Sequence, residues 1–181
     1  IISGKNKGRK ITAPTNLPVR PTTDLGKESL FNIINNYFFF DRVTVLDLFA
    51  GTGNITYEFA SRGALSVLAV DNHQACVDFI KKTATQLNYD SINVLKADAF
   101  DFTKNCRQKF DIIFADPPYG LDWGLELPSI IGNNGSILSD EGIFIYEHSD
   151  KEKICELDLN NWSRDDRVYG GTILSFYKRR N

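Results

Sequence analysis

Four aspartates and one glycine pair carry the chemistry in this sequence. Asp47, Asp71, Asp98 and Asp116 each stand at or near the end of an apolar run, in "VTVLDLF", "LSVLAVD", "INVLKAD" and "FDIIFAD". Phe49-Ala50-Gly51-Thr52-Gly53 follows the first run directly. Gly51 and Gly53 allow a tight turn and a close backbone approach to a ligand. An acid at the end of the second run can accept both hydroxyls of a ribose, and Asp98 can accept from an exocyclic amine such as that of adenine. Together these groups describe a nucleoside site. The glycine loop is not G-x-G-x-x-G, because Thr56 stands three past Gly53, and Asp47 lies close by. A pyrophosphate would be repelled there, whereas a nucleoside with a cationic or zwitterionic group would be favoured.

The fourth run ends in Asp116-Pro117-Pro118-Tyr119. Two adjacent prolines have no N–H and cannot continue a sheet ladder, so the chain must leave the sheet there on a stiff backbone. The motif is either an ordinary strand stop or a rigid clamp for something flat and polar.

Alternating elements position these residues. Strands are expected at "VTVLDLF", "LSVLAVD", "INVLKAD", "FDIIFAD" and "GIFIYEH". Helices are expected after Gly53, over 72–87, around 121–131 and, capped by Thr23 or Asp24, along Leu30, Phe31, Ile34 and Phe38. "DDRVYGGTILSFYK" reads as a C-terminal hairpin, and a Lys/Glu-rich turn or helix precedes it. "IISGKNKGRKIT" reads as an N-terminal basic β-hairpin, followed by a Pro-rich connector. The fold class is α/β: a Rossmann-like, doubly wound, mostly parallel seven-stranded sheet with an antiparallel C-terminal hairpin. Residues 1–22 form the hairpin and connector, and 23–181 the main domain. In such sheets ligands sit at the carboxyl ends of the strands, near the point where strand order reverses.

Composition bounds the rest. A chain of 181 residues suits one domain with a sizeable core. No apolar run approaches the ~20 residues that span a bilayer, and no signal-peptide pattern opens the chain. Cys76, Cys106 and Cys155 are scattered and read as reduced thiols of a cytoplasmic protein. His73 and His148 have no metal-ligand spacing, so no metal is expected, and Trp123 and Trp162 read as packing residues. No Met occurs, so a trimmed chain or one with omitted positions is expected, and spacings are read only within motifs. Net charge is −2, but Lys5, Lys7, Arg9, Lys10 and Arg20 give the first 20 residues +5 with no acid, which leaves −7 for the remainder. A basic arm on an acidic body suggests a polyanion partner, with Lys5, Lys7, Arg9 and Lys10 as its contacts.

"VLDLFAGTGNITYEFASRGA", "VLAVD" and "ADPPYG" resemble a class I S-adenosylmethionine-dependent methyltransferase. The D-P-P-Y form resembles the amino-group methyltransferases of nucleic acids. With "IISGKNKGRKI" and "VRPTTDLGKESLFNII" upstream, nearly the whole chain resembles the RsmD family of 16S ribosomal RNA guanine-N2 methyltransferases. The resemblance implies that Asp47, Phe49, Ala50, Gly51 and Gly53 shape the methionine pocket of S-adenosylmethionine. It implies further that Asp71 holds the ribose, Asp98 the adenine amine, and Arg20, Pro21 and Thr22 close over the cofactor. Asp116, Pro117 and Tyr119 would hold the target base. Asp71 stands where that family commonly has Glu, and Lys27 stands where Arg is expected. The implied partner is 16S ribosomal RNA or a small-subunit assembly intermediate, met by a monomer in the cytoplasm. The alternatives are a DNA or RNA adenine-N6 methyltransferase, which uses the same clamp, and an RNA-binding protein with a vestigial cofactor pocket.

Overall fold

The apolar runs pair into one seven-stranded sheet. In a computed structural model, which describes residues 1–19, 24–120, 126–155 and 157–181 (side chains from 26 in the second stretch), the strands are β1 (Thr44–Leu48), β2 (Ser66–Asp71), β3 (Ile92–Lys96), β4 (Phe110–Ala115), β5 (Leu138–Ser149), β6 (Trp162–Tyr169) and β7 (Thr172–Arg179). Their order is β3-β2-β1-β4-β5-β7-β6. The first five run parallel, and β7 inserts antiparallel between β5 and β6. β1 and β4 are the central pair, with Asp47 level with Phe114 and Leu48 with Ala115. Both are buried on both faces, which is why they read as nearly continuous apolar runs. β3 differs: it is the sheet edge and only partly covered, with Leu95 exposed.

Helices cover both faces, and the fold is Rossmann-like and doubly wound. On one face α1 (Asp24–Asn35) and α2 (Asn54–Ser61) bury Leu30, Phe31, Ile34, Ile55 and Phe59 against Val45, Ile112 and Ile145. α3 (Gln74–Gln86) packs Ile80 and Ala84 beside β2. On the other face Leu127 and Ile131 of α5 (Leu127–Asn133), and Ala99 of α4 (Ala99–Asn105), meet Leu46, Ile113 and Phe144. The C-terminal hairpin expected at Gly170-Gly171 forms as β6 and β7, and Trp162 is buried in that packing. The Lys/Glu-rich stretch after β5 opens with a turn and carries no helix among its described residues.

The expected N-terminal β-hairpin is corrected. Residues 1–10 form a reverse turn, closed by the Gly8 N–H to the Ile1 carbonyl at 2.9 Å and the Ile1 amino group to the Arg9 carbonyl at 2.8 Å, with no strand. The Ile2, Ser3, Lys5 and Asn6 N–H groups instead donate to Glu58 and Ser61 of α2. Donors spent on a helix cannot build a ladder. The calls on Arg20, Pro21, Thr22, Thr23 and Trp123 lie outside the described residues.

The ring of Phe59 meets that of Phe31 edge-on, with centroids 4.7 Å apart, and both are fully buried. Phe59→Ala would leave a cavity that α1 and α2 share. It is expected to cost about 3–5 kcal/mol of stability, measured by denaturant unfolding.

Candidate active site

The strand order reverses between β1 and β4, and a cleft lined by the loops after these strands opens there. It is a cavity of about 860 Å3. Its floor is the loop after β1, where Phe49, Gly51 and Gly53 take left-handed φ of 57°, 58° and 83°. A Cβ on Gly53 would lie 2.7 Å from the Tyr57 ring and 3.0 Å from Ile80, so only glycine lets α2 start here. A Cβ on Gly51 would meet the Val19 side chain at 3.1 Å, so glycine lets the connector close against the loop. Phe49 is not glycine, and a left-handed backbone there stores about 1–3 kcal/mol of strain, as functional sites often do.

Three carboxylates from adjacent strands β2, β1 and β4 line this cavity: Asp71, Asp47 and Asp116. Asp71 accepts the Gly51 N–H on Oδ2 and the His73 N–H on Oδ1, both at 2.9 Å. Each of its oxygens keeps a second lone-pair site for a ligand hydroxyl. Asp47 is buried and accepts the Thr56 hydroxyl at 2.5 Å. Its pKa is raised to about 7, by burial first and then by the charges of Asp116 and Asp71, against the Thr56 hydrogen bond. Such a site favours a ligand that brings positive charge. Cys76 also reaches the wall, but burial and the Asp71 charge push its thiol up to about 11, so it is no nucleophile at neutral pH.

The same cavity continues to Asp116, Pro117, Pro118 and Tyr119. Pro117 is buried, whereas Tyr119 is 46% exposed at the mouth. The glycine loop, Asp71 and the D-P-P-Y turn therefore share one space. Asp98 stands apart. It is exposed, does not line the cavity, and caps α4 by accepting the Phe100 and Asp101 N–H groups on Oδ1 at 2.9 Å each. The cations of the N-terminal turn, Lys5, Lys7, Arg9 and Lys10, are all exposed.

Sequence reasoning missed three contributors. Thr56, read only as a mismatch to a dinucleotide loop, holds Asp47. Asn54 lines the cavity at the start of α2. Leu17, Pro18 and Val19 of the Pro-rich connector form part of its wall, and no periodicity signals that.

The family described as Conserved hypothetical protein 95 matches residues 1–178. "Ribosomal RNA small subunit methyltransferase D" of Escherichia coli (strain K12) is 30% identical over 180 residues, covering 99% of this chain and 89% of that protein. The protein of the same description from Buchnera aphidicola subsp. Baizongia pistaciae (strain Bp) is 30% identical over 162 residues, covering 90% and 82%. The solved structure of yhhF from Escherichia coli superposes with a TM-score of 0.86 at 27% identity, covering 99% of this chain and 97% of that one.

A carboxyl whose folded pKa is raised from 3.8 to about 7 contributes stability that is present below 3.8 and lost as pH rises through 7. Asp47→Asn removes that loss. The ligand-free variant is expected to be more stable than the parent by about 2–4 kcal/mol at pH 8, with the gap closing toward pH 4. Denaturant unfolding at the two pH values measures it.

Proposed function

This chain belongs to the Conserved hypothetical protein 95 family, and from that footing we propose that it transfers a methyl group from S-adenosylmethionine to the exocyclic N2 amine of a guanine in small-subunit ribosomal RNA. The observation that carries the reading is the single cavity shared by the glycine loop, Asp71 and the Asp116–Tyr119 turn. Relatives named for small-subunit ribosomal RNA methylation support the RNA substrate.

The residues fit the cofactor. Bound S-adenosylmethionine supplies an electrophilic methyl on a sulfonium. Its positive charges answer the crowding of Asp47, Asp71 and Asp116, and its ribose hydroxyls match the remaining lone pairs of Asp71. Asp98 would reach an adenine amine only through Oδ2, to which no described residue donates.

The residues also fit the amine. A guanine N2 lone pair is delocalised into the ring, so the amine is a weak nucleophile. The Asp116 carboxylate and the Pro117 carbonyl would accept its N–H bonds. They would aim the lone pair at the methyl and stabilise positive charge as it grows on nitrogen. The two prolines hold both acceptors on a stiff backbone. Tyr119 would stack on the base, with such contacts worth ~1–3 kcal/mol. A paired guanine must be exposed first, by base flipping or in a looped-out strand. Lys5, Lys7, Arg9 and Lys10 would hold phosphates, a contact that weakens with salt.

Asp116→Ala tests this assignment. Its amine partner develops charge only in the transition state, so the single-turnover rate at saturating cofactor should fall about 100- to 1,000-fold, well beyond any loss of cofactor affinity from removing one of the three cavity carboxylates. A near-parental rate on small-subunit RNA would remove Asp116 from the chemistry.

A further inference from the structure

Glu58 does not line the cavity, yet it gathers four donors. It is fully buried on α2. The Ile2 N–H donates to Oε2 at 2.9 Å and the Ser3 N–H to Oε1 at 3.0 Å. Lys27 of α1 and Arg62 each pair with it at 2.9 Å. Hydrogen bonds and these cations hold its pKa below the ordinary glutamate value, against burial, so it stays ionised at neutral pH.

Two paths lead from this carboxylate to the cavity. Lys27, itself buried, also donates to Asn54 Oδ1 at 2.9 Å, and Asn54 lines the cavity. The other path is the chain itself. Residues 1–6 are pinned to α2 by Glu58 and by Ser61, whose hydroxyl donates to the Ser3 carbonyl at 2.6 Å and whose carbonyl accepts the Lys5 N–H at 2.7 Å. The chain then runs on as the cavity wall through Ile11, Leu17, Pro18 and Val19. Val19 closes against Gly51.

We infer that Glu58 is a positioning residue for the cofactor: by fixing residues 1–3 on α2 it seats residues 11–19 as a wall of the cavity, so that cofactor occupancy and docking of the basic turn are linked. The inference rests on the reading that the cavity holds S-adenosylmethionine. A ligand that touches the wall binds the docked state better, and by linkage it stabilises docking. The cations of the turn would then be ordered for RNA when the methyl donor is in place.

Gly4→Ala tests this without disturbing the buried ion pairs. Gly4 has φ +85°, and a Cβ there would fall 1.9 Å from the Ser61 carbonyl oxygen, so the variant must lift the turn off α2. Two readouts are taken: S-adenosylmethionine affinity by calorimetry, and trypsin cleavage in the turn at Lys5, Lys7, Arg9 and Lys10 with and without S-adenosylmethionine. In the parent the cofactor should slow cleavage of the turn. In Gly4→Ala cleavage should be fast and insensitive to cofactor, and affinity should fall on the order of tenfold, the worth of about one buried apolar side chain. Glu58→Gln, which turns an amide donor toward backbone donors, should behave in the same way. Parental affinity in a Gly4→Ala protein whose turn is cleaved rapidly would overturn the inference, as would a turn that stays protected in Gly4→Ala. A parent that does not bind S-adenosylmethionine at all would instead overturn the reading of the cavity, and the inference with it.

Discussion

Three carboxylates at the ends of β2, β1 and β4 face one cavity. Adjacent strands lie about 4.8 Å apart, so a parallel sheet brings such ends together whatever their charge. Burial, with repulsion between them added to it, raises the Asp47 carboxyl to about 7. Left alone, this crowding destabilises the fold. Local groups offset part of it. The Thr56 hydroxyl serves Asp47, and the Gly51 and His73 N–H groups serve Asp71. The rest is left to whatever enters the cavity. A pyrophosphate would add to the repulsion. The sulfonium and ammonium groups of the proposed methyl donor would relieve it, whereas a phosphate loop would need donors where this sheet presents acids.

The rest of the molecule keeps those acids at fixed positions and in the right company. Left-handed turns at Gly51 and Gly53 bring the chain round from β1 into α2 beside the cavity. The D-P-P-Y turn lines the same space and offers it the Asp116 carboxylate. Methyl transfer from a sulfonium to an amine asks little of the protein beyond alignment and an acceptor for growing charge. In the proposed reaction a rigid turn and a shaped cavity would meet that need. The buried ions of α1 and α2 belong to the same economy of position, because Glu58 ties the first residues to the body of the domain.

Much of this was legible in the sequence. Apolar runs that end in acids located β1, β2 and β4, and the sheet put their ends together. Gly170-Gly171 marked the C-terminal hairpin. The N-terminal turn was misread because its two Ile-containing flanks look like strand partners, while its N–H groups go to α2. Glu58 carried a signal that went unused. Tyr57 and Phe59 flank it, and Ile55 to Ser61 are all buried. A helix buried on every side has no solvated face, so an acid within it must be paired. Asp98 shows the opposite case: its position at a strand end suggested a ligand contact, and the same position makes it the N-cap of α4. The wall formed by Leu17, Pro18 and Val19 left no pattern, since a connector packed on a cavity has no period.

The central claim is that the acid-lined cavity and the D-P-P-Y turn together methylate a guanine amine in small-subunit RNA. The most direct measurement supplies methyl-labelled S-adenosylmethionine and small-subunit ribosomal RNA lacking its own modifications, both free and in partly assembled particles, then identifies the labelled nucleoside after digestion. The account predicts N2-methylguanosine as the labelled product on at least one of the two substrates. Label in N6-methyladenosine would contradict the choice of base, and an absence of label on both would contradict the account of the cavity as a catalytic site.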